Sequence, residues 1–272
     1  MEDSWRYATL PTVDRRVSRL GVAPNYGLKS SDIAYAAERG VNYWVFSSSG
    51  GERWATRGLR ELLRKERDRH VVAVLGAGYF PWMVRWTLER ARKALDIEQL
   101  DVFLLGWLGV SAALTPGIED VLVKAKEEGK IRAIGTSIHD RPRAAKLAES
   151  SCIDLFMLRY NAAHPGAERE VFPHMATRNP AVVAYTGTSW GQLLKTPAPE
   201  LGAGATPPMT AAQCYRFQLS NPHVHVALTG PGNRAQLDEN LRALDQGPLS
   251  PDEEAWMRAY GQVVAKKKLP GQ

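Results

Sequence analysis

A chain of 272 residues with 44% apolar side chains is long enough to bury a large core, and one α/β barrel suits that length as well as two smaller domains. The formal charge is +6, from 35 Lys plus Arg against 29 Asp plus Glu, spread along the chain apart from Lys266 to Lys268; it favours small anions, and no nucleic-acid motif accompanies it. Two cysteines make no disulfide framework or metal cluster, and no signal peptide or apolar run near 18 residues points to export or a membrane, so a cytoplasmic protein, monomeric or weakly oligomeric, is expected.

In chain order, strand-like and helix-like segments alternate from about Arg16. After a polar start, Val17 to Ala23 predicts a first strand and Ser31 caps a helix running through Ala37 to Gly40. Tyr43 to Ser47 is the second strand, followed by a Ser/Gly loop, Ser47 to Gly51, and a helix around Leu59 to Arg64. Val71 to Leu75 is the third strand, and Pro81 starts an amphipathic helix to Ala94. Val102 to Leu105, Ile131 to Thr136, Ile153 to Leu158 and Ala181 to Tyr185 are strands four to seven. Between them lie helices from Ile118 to Glu128, from Pro142, and from Glu168 to Thr177. A Gly/Pro/Thr-rich loop, Thr196 to Met209, placed to cover a cleft, precedes a helix from Ala211 to Leu219 and the eighth strand, Val224 to Leu228.

Eight apolar strands, each followed by a helix, predict a parallel sheet covered by helices and closed into a (β/α)8 TIM barrel. The chain then forms one domain over residues 1–272, with a barrel core from about 16 to 249 and a C-terminal helix and basic tail over 250–272.

The stretch Thr229 to Asn240 joins the eighth strand to a helix through a glycine turn. Such a turn presents unpaired N–H groups at the positive end of the helix dipole, which suits a phosphate, and Arg234 could add a full charge. It reads equally as an ordinary turn in which Asn233 caps the helix. A Rossmann reading of Gly230 and Gly232 lacks the acidic strand end it requires about 20 residues later.

Leu20-Gly21, Gly40 to Tyr43, Gly129 to Ser137, Arg159-Tyr160-Asn161, Val182 to Tyr185 and the run from Gly230 to Asn240 occur in an order and spacing that resembles the aldo-keto reductases. The resemblance spans about Arg16 to Leu249 and implies a barrel that binds NADP(H) across its C-terminal mouth. It implies that Gly230, Gly232, Asn233, Arg234, Gln236 and Asn240 serve the phosphate and adenine end, with Arg234 at the 2′-phosphate. It also puts Tyr185 under the nicotinamide and Ser137 at the carboxamide.

The family's reaction, carbonyl reduction by hydride, relies on an Asp, a Tyr, a Lys and a His, and this sequence departs from all four. Val45 stands for the Asp, Gly76 for the Lys and Gly106 for the His, and no tyrosine occurs from Val45 to Arg53. Ile138 and Met157 replace two polar carboxamide contacts. Two glycines where large polar side chains belong predict a roomier, more apolar pocket that Trp44, Phe46, Trp54, Tyr79, Phe80, Trp107 and Trp190 are available to line. His139, His164 and Tyr26 follow strands on the face where barrel active sites form, and are the candidate acids and bases. The remaining histidines show no metal-ligand spacing. Two functions follow: an oxidoreductase with a rebuilt site for a bulky apolar carbonyl or alkene, or a pseudoenzyme that binds nucleotide or another small ligand.

Overall fold

The computed structural model describes residues 2–47, 53–201 and 207–267. It opens with a short helix, α1 (Glu2–Arg6), and an antiparallel hairpin, β1 (Tyr7–Leu10) and β2 (Arg15–Ser18), whose turn closes with Asp14 at φ 49°. This hairpin corrects the expected first strand. Val17 belongs to β2 and packs with Leu10 and Val13 against the side chains inside the barrel, so these apolar residues form its floor. Only Leu20–Val22 (β3) enters the barrel wall.

The alternation that follows is regular. After β3 come α2 (Ser30–Glu38), β4 (Tyr43–Ser47), α3 (Arg53–Glu66), β5 (Val71–Gly76), α4 (Pro81–Leu95), β6 (Leu100–Leu105) and α5 (Pro116–Glu127). Then come β7 (Ile131–Ile138), α6 (Arg141–Glu149), β8 (Leu155–Arg159), α7 (Ala167–Glu170), β9 (Ala181–Tyr185), α8 (Ala211–Ser220), β10 (Val226–Thr229), α9 (Arg234–Asp245) and α10 (Pro251–Lys266). Strands β3 to β10 are all parallel, and β10 pairs with β3 in the register Ala227↔Leu20 to close the barrel. The fold is the (β/α)8 barrel that the alternation predicts.

Strand periodicity sorts the side chains. Tyr43, Val45, Val71, Ala73, Val102, Leu104, Leu155, Met157, Ala181 and Val183 fill the interior, whereas Trp44, Phe46, Val72, Val74, Phe103 and Leu105 pack under the helices. Both faces are apolar, which explains why the strands read as nearly continuous hydrophobic runs.

Other departures have local causes. Lys29 rather than Ser31 caps α2, and its N–H donates to Asp32 Oδ2 at 3.0 Å. The helix expected over Glu168 to Thr177 breaks after α7 into a 3-10 turn, Phe172–Thr177, because Pro173 supplies no N–H. Val224 donates to the Asn221 carbonyl in a turn, which delays the start of β10 to Val226. Cys152 is only partly buried, while Cys214 is buried. The Ser/Gly loop expected after β4 lies largely outside the described residues, as does the middle of the Thr196 to Met209 loop. What is described of the latter includes a 3-10 turn at Pro199–Leu201.

Helix α10 matches the expected C-terminal extension. Ser250 and Glu253 form a reciprocal capping box, and Met257, Tyr260, Gly261 and Val264 are its buried face. Arg216 grips Glu253 with two bonds of 2.7 and 3.0 Å and holds its carboxyl at about 2, well below the usual range. Among the described residues no helix is long and apolar enough to cross a membrane, and no group of three His, Cys, Asp or Glu could hold a metal.

Candidate active site at the barrel mouth

The C-terminal ends of the strands surround a cavity of about 610 Å³. Its floor is Val45, Leu75, Met157 and Leu228, and its walls come from the loops after the strands: Asn25 and Tyr26, Trp107, His139, Thr186 to Thr188, and Trp190. Among the described residues, no Asp, Glu or Lys lines it. Of the aromatic residues expected to line the pocket, only Trp107 and Trp190 do so. Trp44 and Phe46 point out of the barrel into the helix layer, and Trp54, Tyr79 and Phe80 are exposed away from the cavity. The alternation of side chains along β4 decides this for the first two.

Here one expected acid–base residue, His139, meets the tyrosine expected under the nicotinamide. The Tyr185 hydroxyl lies 3.0 Å from Nε2 and 3.1 Å from Nδ1 of His139, with the rings edge to face at 5.7 Å. Burial pushes the Tyr185 phenol up to about 12, against the opposing charge of Arg159. Burial and the same arginine push the His139 imidazole below its usual value, so at neutral pH a protonated phenol faces a neutral imidazole.

His164 is not part of the cavity wall. It stands behind Trp190, with ring centroids 6.2 Å apart, and its Nδ1 lies 3.2 Å from the Asn161 side-chain oxygen. Burial and the charge of Arg159 lower it to about 4. Tyr26 lines the cavity but is 69% exposed, and its ring covers Gly230 so closely that a Cβ there would lie 2.5 Å from Cδ2.

Ser137 is fully buried near the Tyr185 phenol, and its hydroxyl makes no well-formed hydrogen bond. Both amide atoms of Asn25, on the cavity wall, are likewise buried without a partner. A native interior rarely leaves such groups unsatisfied, so Asn25 offers the mouth a vacant polar contact. Asn25 has no signal in the sequence: an asparagine between a strand and a short turn is ordinary, and only the closure of the barrel buries its amide.

The loop from Gly230 to Asn240 is internally bonded. Gln236 Oε1 accepts the Gly232 N–H at 2.8 Å, and Asn233 Oδ1 accepts the Gln236 N–H at 3.0 Å, which makes Asn233 the N-cap of α9. Arg234 is paired with Asp32 at 2.8 Å and lies over the Tyr35 ring, 4.6 Å from its centroid. Asn240 is buried, and its Nδ2 donates to the Thr229 hydroxyl at 2.6 Å, so it braces the turn from inside the barrel wall instead of facing the cleft.

The model of the aldo/keto reductase family matches residues 20–260, most of the chain. The chain belongs to the aldo/keto reductase family. The NADH-specific methylglyoxal reductase of Escherichia coli (strain K12) is 24% identical over 185 residues, which are 66% of this chain and 55% of that relative, so the chain matches only about half of the relative's length. An aldo-keto reductase from Bacillus halodurans in its holo form superposes with a TM-score of 0.78 at 18% identity, covering 98% of both chains. The glycerol dehydrogenase of Gluconobacter oxydans superposes with a TM-score of 0.75 at 17% identity, covering 99% of both.

For this aldo/keto reductase, the geometry revises one expected correspondence. Val45 faces the cavity, as its place in β4 requires. Gly76 does not. A Cβ there would sit 2.6 Å from Phe103 Cζ and 2.8 Å from Thr87 Cγ2, in the helix layer, whereas the cavity-facing residue at the end of β5 is Leu75. A Cβ on Gly106 would meet Leu75 Cγ at 3.1 Å. Leu75 therefore crowds the space beside Gly106, and the pocket is not opened by two missing side chains. It is apolar because Val45, Leu75 and Met157 form its floor.

Proposed function

We propose that this family member is an oxidoreductase that binds a nicotinamide dinucleotide across the mouth and reduces a carbonyl with His139 and Tyr185 handling the proton. The single observation carrying this reading is the hydrogen-bonded Tyr185–His139 pair on the wall of an otherwise apolar cavity. Two features suit a dinucleotide, and the first is the unpartnered amide of Asn25 on the cavity wall, which can bond its polar groups. The Gly232 N–H becomes available when the flexible Gln236 side chain rotates away. When bound, the dinucleotide supplies the hydride.

The chain's own residues supply orientation and the proton. A neutral His139 ring can direct an N–H toward a substrate oxygen and pass that proton to the forming alkoxide; Tyr185, protonated at neutral pH, can return a proton to the ring and take its own from solvent on the exposed side of the pair. The apolar floor excludes water and strengthens these polar contacts. The ion pair between Arg234 and Asp32 leaves little free positive charge for a 2′-phosphate, so the reading extends to NADH at least as readily as NADPH. The NADH specificity of the E. coli relative supports it.

The apolar residues Val45 and Leu75 at positions where the family carries ionisable groups favour a second reading, a binding protein without turnover. One experiment separates them. Titration with NADH and NADPH followed by fluorescence and thermal shift tests binding; a dinucleotide at 100 times its dissociation constant raises stability by about 2.7 kcal/mol. NADH consumption over a panel of aldehydes and ketones then tests turnover, and His139→Ala is expected to reduce it by about 10²-fold. Binding without turnover on any substrate selects the second reading, and no binding of either nucleotide removes the oxidoreductase and leaves a binding protein for another small ligand.

A further inference from the structure

Arg159 is a charge at the mouth that the proton-handling pair leaves unexplained. It ends β8 opposite Tyr185 in the register. Leu155 and Met157 point into the barrel from the same strand, and the two-residue period puts Arg159 on that face one layer higher, at the rim. Its field reaches His139, Tyr185 and His164, the three ionisable rings grouped on that side of the mouth. Its guanidinium lies over the Trp190 ring, 5.7 Å from the centroid, and Trp190 lines the cavity.

Neighbouring Arg141 is neutralised by Glu170 at 2.8 Å, and Arg234, at the far end of the mouth, by Asp32 at 2.8 Å. Among the described residues no carboxylate pairs with Arg159, and no acidic residue lines the cavity below it. A guanidinium steadied on an indole face with its donor fork unengaged is prepared for a planar, two-oxygen anion. The floor under it is apolar, which suits a hydrocarbon or aromatic body rather than a sugar.

We propose that the mouth takes an oxo acid with an apolar or aromatic body, whose carboxylate is bound by Arg159 while Trp190, Met157 and Leu75 hold the body. This deepens the reading above and rests on the mouth being the substrate site. Arg159 then selects the substrate and does not take part in the proton transfer. A diphosphate in the dinucleotide presents similar anionic oxygens, and the test separates the two.

The probes are phenylpyruvate and its methyl ester, titrated calorimetrically into the full chain with and without saturating NADH, alongside an NADH titration. A charge-assisted bidentate contact predicts about tenfold tighter binding of the acid than of the ester. Arg159→Gln is expected to bring the acid down to the ester's affinity while leaving the ester and NADH within about twofold. Arg159→Lys is expected to retain part of the preference, because it keeps the charge and loses the fork. Arg159 is a rim residue, and an unchanged melting temperature for the variants confirms that the fold is intact. Equal binding of acid and ester, no binding of the acid at millimolar concentration, or a loss in Arg159→Gln that falls on NADH instead would each overturn the proposal. NADH binding with an indifferent acid overturns this inference alone; absent NADH binding overturns the dinucleotide reading, with the acid still measurable on the free chain.

Discussion

The two ends of the mouth differ in how their polar groups are spent. At the Gly230 to Asn240 end, nearly every group that resembles a nucleotide contact already has a partner inside the protein: Gly232 with Gln236, Asn233 with the backbone of α9, Arg234 with Asp32, and Asn240 with Thr229. On the side of β7 to β9 the cavity wall carries the Tyr185–His139 pair over an apolar floor, and among the described residues Arg159 has no carboxylate partner. A familiar run of residues can be maintained by helix capping and loop packing alone. Vacant polar groups, invisible as a pattern, mark where a ligand would be held.

The largest expected effect tests the altered correspondence on β5. Gly76→Ala forces a Cβ against Phe103 and Thr87 and is expected to cost about 2–3 kcal/mol in a denaturant melt. Leu75→Ala only widens the cavity, with a smaller cost. If Gly76→Ala were neutral, Gly76 and not Leu75 would face the mouth.

Next in size is Gly27, which packs against the other end of the cleft. At φ +128° it adopts a conformation that side chains rarely take, and a Cβ would meet the Gly232 carbonyl oxygen at 2.6 Å. Gly27→Ala is expected to cost about 2 kcal/mol of stability and to weaken nucleotide binding at the Gly232 loop, with turnover at saturating nucleotide little changed. A loss confined to turnover would contradict the division between the two ends.

A smaller effect concerns two histidines of the scaffold. His70 Nδ1 accepts the Trp44 indole N–H at 3.2 Å and His225 Nδ1 accepts the Val182 N–H at 3.1 Å, and burial lowers both to about 4. Because these folded values lie below the ordinary 6.5, the unfolded chain takes up protons first as pH falls. The stabilisation is complete above about pH 6.5 and is lost progressively down to about pH 4, roughly 1–2 kcal/mol per histidine after solvent screening. Thermal melts between pH 7 and 4 should show this slope, and His225→Gln should flatten its share.

The smallest effect separates the nucleotides. Asp32→Asn frees the charge of Arg234 and is expected to improve NADPH binding relative to NADH by about 1 kcal/mol, read by paired fluorescence titrations. The same substitution weakens the cap of α2, so a slightly lower melting temperature accompanies it. An unchanged ratio would mean that Arg234 does not face the 2′ position.

The sequence by itself determined the barrel, because strands apolar on both faces and helices apolar on one face have few other ways to bury themselves. Tyr43 to Ser47, Ala181 to Tyr185 and Pro251 to Lys266 are bounded in the structure as their sequence predicts. It also determined the family, through motifs held at long spacing, and pointed to His139 and Tyr185 separately. Only the tertiary structure decided that Val17 closes the floor, that Leu75 takes the mouth position in place of Gly76, and that Asn240 turns inward. It alone brought His139 to Tyr185 across 46 residues and, among the described residues, left Arg159 without a carboxylate. The physical reason is that periodicity along a chain dictates which face a side chain takes, while its partners come from other strands and are set only when the sheet closes.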